Sequence, residues 1–405
     1  MRFTSGGMAV PEFLKKFCDK IPSPEVYKLP RRKRNRQAKL HITFNQGKDK
    51  AVTIPIIMHR PLPEGGFVKK MVLVRREHGK DFCKWFLQLT VEVPPEEFLE
   101  KPPANRKPLA VFEVGFRKVG ETEVPLKMPV LRDGKWRKVK VSRKADILRV
   151  GVIYNGERIR EVCLPAKITA KLAAAEDKQS KADRILQELK DDLRDFFLAL
   201  INDSSSLVEK LPEFIVRCVK SNQVWGRIRK KGLVEIAEQL EERGLFPELV
   251  EEIRSTLARY ERFLNVATRM RKKALGYRRK FYENLAKELF NEYEVVVLPE
   301  MRLAEMARKE KAEELVRKAR FQRFVAGLSE LRNCLERRAK KTGSELKVVE
   351  CKWKTKRCHV CGNLVEYPYP ERQFWRCEHC GAEWDVDENA VKNLWEWVRK
   401  EEIVE

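Results

Sequence analysis

The sequence predicts an α+β chain of several domains: an antiparallel β module, a second β group interrupted by a large helical insertion, and a four-cysteine zinc ribbon near the end. Three observations predict it. Alternating apolar residues with turn signals fill residues 38–93, helical periodicity runs from about Asp177 to Tyr293, and two C-x-x-C-G motifs close the chain. At 405 residues there is room for two or three ordinary domains with sizeable cores.

Residues 1–37 form a basic N-terminal segment with a short amphipathic stretch and the run Arg31, Arg32, Lys33, Arg34, Asn35, Arg36. Such a run lies on a phosphate backbone or in solvent. The β module follows over 38–105, with strands at Lys39–Phe44, Val52–Ile57, Lys70–Val74 and Trp85–Val93, arranged as in a barrel. A Pro-rich stretch from Pro94 to Pro108 ends it. A second set of strands, at Leu109–Gly115, Ile147–Tyr154 and Arg160–Leu164, lies within 106–176.

The helical block spans 177–290. Between Leu257 and Lys280 it carries nine basic residues against one acid, Glu261, and its apolar stripe runs through Phe263, Ala267, Ala274 and Tyr277. One face is expected to pack while the other presents a basic ridge that includes Arg269, Arg271, Lys272, Lys273, Arg278, Arg279 and Lys280. Residues 291–350 begin with the apolar strand Val295–Leu298, which ends at Glu300. They continue as one long charged helix over about 303–341, stopped by Gly343, and a strand at Lys347–Cys351. The ribbon occupies 351–384 and a last helix, from about Asp387 to Trp397, fills 385–405.

Charge narrows the function. Lys and Arg total 85 against 60 for Asp and Glu, a net +25 that attracts polyanions over a long range, and nucleic acid is the commonest of these. The longest apolar run, Phe196–Ile201, is far shorter than a bilayer span of about 18 residues or more, and no secretory signal pattern opens the sequence. A cytoplasmic location with no membrane partner is expected.

Cys358, Cys361, Cys377 and Cys380 are the expected ligands of a structural zinc. A two-residue gap lets two thiolates turn onto one tetrahedral metal, and four protein ligands leave no open position for a substrate. His359 and His379 are expected to be bystanders. Three acids stand in unusual places: Glu113 inside an apolar strand, Glu300 at the end of another, and Asp387 at the start of the last helix. Each has an ordinary alternative, as a solvent-facing strand residue, a loop residue and a helix cap. Together, carboxylates so placed can converge on two Mg²⁺ ions roughly 3.5–4 Å apart and cleave a phosphodiester.

The order strand acid, helical insert, Val295-Val-Val-Leu-Pro-Glu300, helix, paired C-x-x-C motifs, then Asp387-Glu-Asn389-Ala390-Val-Lys-Asn393 resembles the RuvC nuclease domain of transposon-encoded TnpB proteins and related compact type V CRISPR effectors. The likeness spans roughly 109–398, and the β module before it resembles, more weakly, the family's wedge domain. The resemblance implies a split RNase H-like fold in three parts (106–176, 291–350, 385–405), guide RNA and target DNA as partners, and Glu113, Glu300 and Asp387 as catalytic magnesium ligands. It also implies that 177–290 supplies the surface for the guide–target hybrid, since the chain is expected to lack most of the N-terminal recognition lobe that many relatives place within or before the wedge module. The family normally has Asp where this chain has Glu113, and the extra methylene displaces the carboxylate by about 1.5 Å in a site whose metal demands near-octahedral geometry. The leading expectation is therefore an RNA-guided DNA endonuclease. Alternatives are an RNA-guided DNA-binding protein with weakened or no cleavage, and a guide-independent zinc-ribbon DNA-binding or recombination protein.

Overall fold

The computed structural model describes the chain except residues 1–6, 24–25, 27–35, 44–50, 59–60, 78–82, 95–98, 133–134, 204–207, 301–316, 352–354, 366–372 and 403–405. It divides into two compact units. Unit 1 comprises Met1–Lys101 and Lys340–Gly343, and unit 2 comprises Pro102–Ala339 and Ser344–Glu405.

In unit 1, strand β1 (Met8–Ala9), helix α1 (Val10–Phe17) and β2 (Cys18–Asp19) precede β3 (Gln37–Thr43), β4 (Ala51–Ile57), β5 (Phe67–Glu77) and β6 (Cys83–Glu92). Two antiparallel three-stranded sheets result, in the orders β1-β5-β6 and β2-β3-β4. Pro55 sits in β4, an edge strand, where its missing N–H breaks no ladder. Val10, Phe13 and Phe17 of α1 pack with Leu40, Val68 and Met71 in one core. This corrects two expectations. The strands form two hydrogen-bonded sheets instead of one barrel, and the segment before residue 38 belongs to the module, because α1 supplies the apolar face both sheets need.

Unit 2 is built on a five-stranded sheet. Strands β7 (Lys107–Arg132), β8 (Lys135–Tyr154) and β9 (Ile159–Leu164) are followed by helix α2 (Ala166–Asn202), the shorter helices α3 (Glu213–Lys220), α4 (Asn222–Arg227) and α5 (Lys230–Glu242), and the 46-residue α6 (Pro247–Glu292). Then come β10 (Tyr293–Pro299), α7 (Arg317–Ala326), α8 (Leu328–Thr342), β11 (Glu345–Val349), the ribbon hairpin β12 (Phe374–Arg376) and β13 (Glu383–Asp385), and α9 (Val386–Glu402). The sheet order is β11-β10-β7-β8-β9. Strand β8 runs antiparallel to both β7 and β9, while β10 runs parallel to β7 and β11 parallel to β10.

Both faces of this sheet are covered. Ala110, Phe112, Val114 and Leu298 pack with α2, α6, α7 and α8 in the main core. The alternate residues Leu109, Val111 and Val297 meet Val391, Leu394 and Val398 of α9 on the other face. Since strand side chains alternate, Glu113 shares the α9 side of β7 with Leu109 and Val111. The helical block has its own core, in which Leu193, Phe197, Ile215, Trp225, Leu233, Ile236 and Ile253 are buried.

Three boundaries differ from the sequence reading. The β7–β8 hairpin runs through 116–146, residues not assigned to strands beforehand; Val124, Leu126 and Ala145 bury against Ala170, which explains its length. Helix α2 begins at Ala166 instead of near Asp177. The described part of the expected 303–341 helix is two helices, separated at Gly327, whose φ of +54° is the left-handed region. Arg278 of α6 explains the break. Buried to 8% exposure, it donates to the carbonyls of Phe324 (2.5 Å) and Val325 (3.0 Å) and pairs with Glu330 (2.8 Å), while the Tyr282 hydroxyl donates to the Ala326 carbonyl. The orphan carbonyls at the end of α7 are thereby satisfied. A Cβ at Gly327 would lie 2.4 Å from the Arg278 guanidinium carbon. Gly327→Ala is expected to lower stability by about 1–3 kcal/mol from backbone strain alone, read as a lower urea midpoint at unchanged slope.

Candidate functional site

The cysteine cluster is the best-formed site. The Cys358 and Cys380 sulfurs lie 3.8 Å apart and those of Cys361 and Cys377 3.6 Å apart, with all four within 4.8 Å of one another. Ligands about 2.3 Å from a tetrahedral centre stand roughly 3.8 Å from each other, so the sulfurs already outline such a sphere. The two knuckles are built alike. The Gly362 amide bonds the Cys358 carbonyl (2.9 Å) and the Gly381 amide bonds that of Cys377 (2.8 Å), with both glycines at positive φ, 78° and 73°.

The surroundings of Cys358 and Cys380 push their thiols in opposite directions. Burial pushes Cys358 up, but the backbone amides of Cys361 and Val360 and the thiols of Cys377 and Cys380 outweigh it and bring the group down to about 7. At Cys380 the Ala382 amide lowers the thiol, but desolvation and the three other cysteines raise it to about 12. Four thiols this close shed all their protons only when a cation compensates the charge, as a bound metal does. Cys18, Cys163, Cys218, Cys334 and Cys351 lie outside the cluster.

The residues after the ribbon now acquire physical roles. Asn389, fully buried, accepts the His359 amide (2.9 Å), lies 3.0 Å from His359 Nδ1, and donates to the Arg357 carbonyl (2.8 Å). Asn393 donates to the same carbonyl at 2.5 Å. Two asparagines four residues apart thus share one face of α9 and fasten the first knuckle to it. His359 meets Asn389 and Lys392 rather than a sulfur, in keeping with its expected bystander role.

Of the three acids, Asp387 faces cations. Asp387 stands in the first turn of α9, where its Oδ2 accepts from Arg149 Nη2 at 2.6 Å and its Oδ1 lies 3.7 Å from Arg117. Arg149, 3% exposed, also donates to both oxygens of Asp385 (2.8 and 3.0 Å) and to Glu161 (2.6 Å). Burial pulls the guanidinium pKa down, but Asp387 and Asp385 more than offset this and raise it. Asp385, not Asp387, is the helix cap: its Oδ1 accepts the amides of Asp387 (2.9 Å) and Glu388 (3.3 Å). Sequence reasoning missed Arg149 and Asp385. The signal was present, because Arg149 interrupts the apolar run Ile147–Tyr154 much as Glu113 interrupts its own strand.

Glu113 is half-buried in β7, paired with Val152. Glu300 is exposed just beyond β10, its amide bonded to the Val349 carbonyl at 2.7 Å. The register Val111 to Val297 sets Glu300 one residue past the position opposite Glu113 on the neighbouring strand. Among the described residues, the four cysteines are the one group of three or more potential ligands gathered within 4.8 Å; Glu113, Glu300 and Asp387 do not form another.

Of the basic residues expected to meet nucleic acid, Arg31, Arg32, Lys33 and Arg34 lie outside the described residues. Arg36 is half-buried, and its carbonyl accepts the Met58 amide. On α6, Arg269, Lys272, Lys273, Arg279 and Lys280 are exposed, and Arg271 pairs with Glu176 at 3.1 Å. Arg278 is a correction: it faces inward as the cap of α7, because the buried stripe of a 46-residue helix drifts around its axis and reaches positions 278 and 282 by its last third.

A two-sided mixed sheet, a helical insertion and a four-cysteine knuckle docked on the closing helix define a sheet-and-ribbon protein of a recognisable class. Residues 329–394 match the model described as Cas12f1-like, TNB domain. The chain is 27% identical over 388 residues to the CRISPR-associated DNA-binding protein Cas12m of Pelobacter propionicus, covering 93% of this chain and 53% of that protein. To the protein of the same name from Thermanaerosceptrum fracticalcis it is 25% identical over 373 residues, covering 90% of this chain and 56% of the relative. The chain therefore spans about half the length of the curated relatives it matches. A solved Cas12f1–sgRNA–target DNA complex aligns with 36% of this chain and 41% of its own at 25% identity and a TM-score of 0.25. By its matched domain and by sequence, the chain is similar to the compact type V CRISPR effectors. No helix among the described residues is long and apolar enough to cross a membrane.

Proposed function

We propose that the chain is an RNA-guided DNA-binding protein whose RuvC-type centre cuts DNA weakly or not at all. The observation that carries this reading is the Arg149–Asp387 pair at 2.6 Å. Asp387 holds the position of the family's third metal ligand, and here a buried guanidinium supplies the positive charge that a metal would supply. With Glu113 a methylene longer than the family's Asp and Asp387 already held by a guanidinium, the first and third carboxylates are poorly suited to two octahedral magnesium ions. The name of the curated relatives, DNA-binding proteins, supports the same reading.

In this reading the unit 2 sheet is a split RNase H-like domain, supported by its three antiparallel and two parallel strands. Unit 1 is the wedge-like module that holds guide RNA. The exposed cations of α6 line the guide–target hybrid, which is read through its backbone while base pairing reads sequence. The cysteine knuckle holds zinc by its all-sulfur donor set and acts structurally, orienting α9 through Asn389 and Asn393.

The test is sequencing of RNA copurified with the protein, followed by gel-shift and cleavage assays on matching DNA in Mg²⁺ and Mn²⁺. Guide-dependent retention with at most trace product is expected, and Glu113→Asp alone should restore little cutting because Arg149 still holds Asp387. Efficient cutting by the unaltered protein would overturn the binding-only reading. A second reading, a competent endonuclease, is favoured by the register that sets Glu300 beside Glu113. Loss of that cutting in Glu300→Ala would establish it. Absence of any specific RNA would favour the guide-independent alternative.

A further inference from the structure

A basic cavity in the helical block has no part in the site above. It measures about 840 Å³, opens to solvent, and is bordered by α2, the α4–α5 link, the start of α5 and Tyr260 of α6. Arg227, Arg229, Lys230, Lys231 and Lys190 line it against a single acid, Asp183. Lys230 is neutralised by Glu261, and Asp183 accepts from Gln179 at 2.9 Å.

Lys190 is the informative residue. It is 6% exposed, and its ammonium donates to the Gly226 carbonyl at 3.2 Å and meets no carboxylate in ion-pair range among the described residues. An ammonium carries three donors, and a buried charge without a counter-charge is costly unless an anion answers it. The start of α5 points to the same ligand class. Arg229 precedes the first turn with no side-chain cap, so amides at the positive end of a 13-residue helix open beside the cavity. Tyr260, half-buried, adds an aromatic wall.

We propose that this cavity binds one or two nucleotides of a single-stranded nucleic acid, with a phosphate on Lys190, Arg229 and the first amides of α5 and a base against Tyr260. Pockets of about 300–1,000 Å³ take ligands of nucleotide size, and a major groove alone is about 12 Å wide, so a duplex does not fit. Stacking on an aromatic ring inside a basic groove is how unpaired strands are held without regard to sequence. The proposal rests on the nucleic-acid reading of the chain and adds to it a strand subsite within the helical block.

The experiment uses the full chain and a fluorescein-labelled oligothymidine of fifteen nucleotides, with affinity measured by anisotropy across a salt series. Arg229→Glu combined with Lys231→Glu is expected to weaken binding at least tenfold. It should also lower the slope of log affinity against log salt by about 1.4, since each single-strand phosphate contact contributes about 0.7. Arg399→Glu with Lys400→Glu, exposed at the end of α9 on the other face of the unit 2 sheet, controls for net charge and should change affinity less than twofold. A bromouracil-substituted oligonucleotide should photocrosslink to Tyr260 in the wild type and lose that crosslink in the cavity variant. Equal weakening by both variants, or an unchanged slope and crosslink, overturns the subsite. Binding of ATP or pyrophosphate at the cavity with no strand binding overturns the choice of a strand. Failure of guide-dependent DNA retention, measured separately, would overturn the proposed function while leaving the difference between the two variants intact.

Discussion

Arg149→Met is expected to be the most damaging single substitution in unit 2, costing about 3–5 kcal/mol, the range for removing one partner of a buried ion pair. Arg149 is 3% exposed and is the hub of Asp385, Asp387 and Glu161. Without it, Asp385, itself 4% exposed, keeps a buried negative charge with no guanidinium beside it. The loss should appear as a lower urea midpoint. It should be largely recovered when Asp385 and Asp387 are both changed to Asn, since the amides keep the shape and shed the charge, and Asn at 385 retains a cap for α9. If the single variant were as stable as the wild type, the pairing described here would be wrong. The Asp387→Asn variant separates stability from chemistry. It removes one acceptor of a still-paired arginine, should cost less than Arg149→Met, and should leave both guided DNA retention and any trace cutting unchanged, whereas loss of cutting alone would assign Asp387 to metal binding.

Cys358→Ser, or chelation of the intact protein, carries the second large effect. One equivalent of zinc per chain is expected in the wild type by elemental analysis, and none in the variant. Structural zinc binding by small domains is worth about 10–16 kcal/mol, and little else holds the knuckle: its own core is Cys358, Val365, Cys377, Trp384 and Val386. Because Asn389 and Asn393 bond the Arg357 carbonyl of the first knuckle, loss of the metal should loosen α9 as well. Hydrogen exchange over 386–400 should quicken while that of α3 and α5, in the separate helical core, stays as before. Unchanged exchange in α9 would show that the asparagines do not transmit the ribbon's order to the helix.

How legible the chain is depends on how local each signal is. The four cysteines could be read from spacing alone because a C-x-x-C-G knuckle encloses its own geometry, and the sulfurs lie where that geometry demands. The strands of the β module were equally plain, since a periodicity of two needs no knowledge of neighbours. The early start of α2, the long β7–β8 hairpin and the break at Gly327 were not plain. Each is imposed by a distant partner: Ala170 under Val124 and Leu126 in the first two cases, and Arg278 at the end of α7 in the third. Likewise, Arg278 reads as one more cation in a basic run until the helix packs and turns it inward.

By itself the sequence determined the sulfur donor set, the polyanion-attracting charge and the three acids, because residue identity and short spacings decide which chemistry is available. Only the tertiary structure decided what those acids face. Arg149 and Asp387 are separated by 238 positions in the sequence and by 2.6 Å in the fold. A carboxylate's function depends on which cation reaches it first, and that is settled by how strands and helices converge.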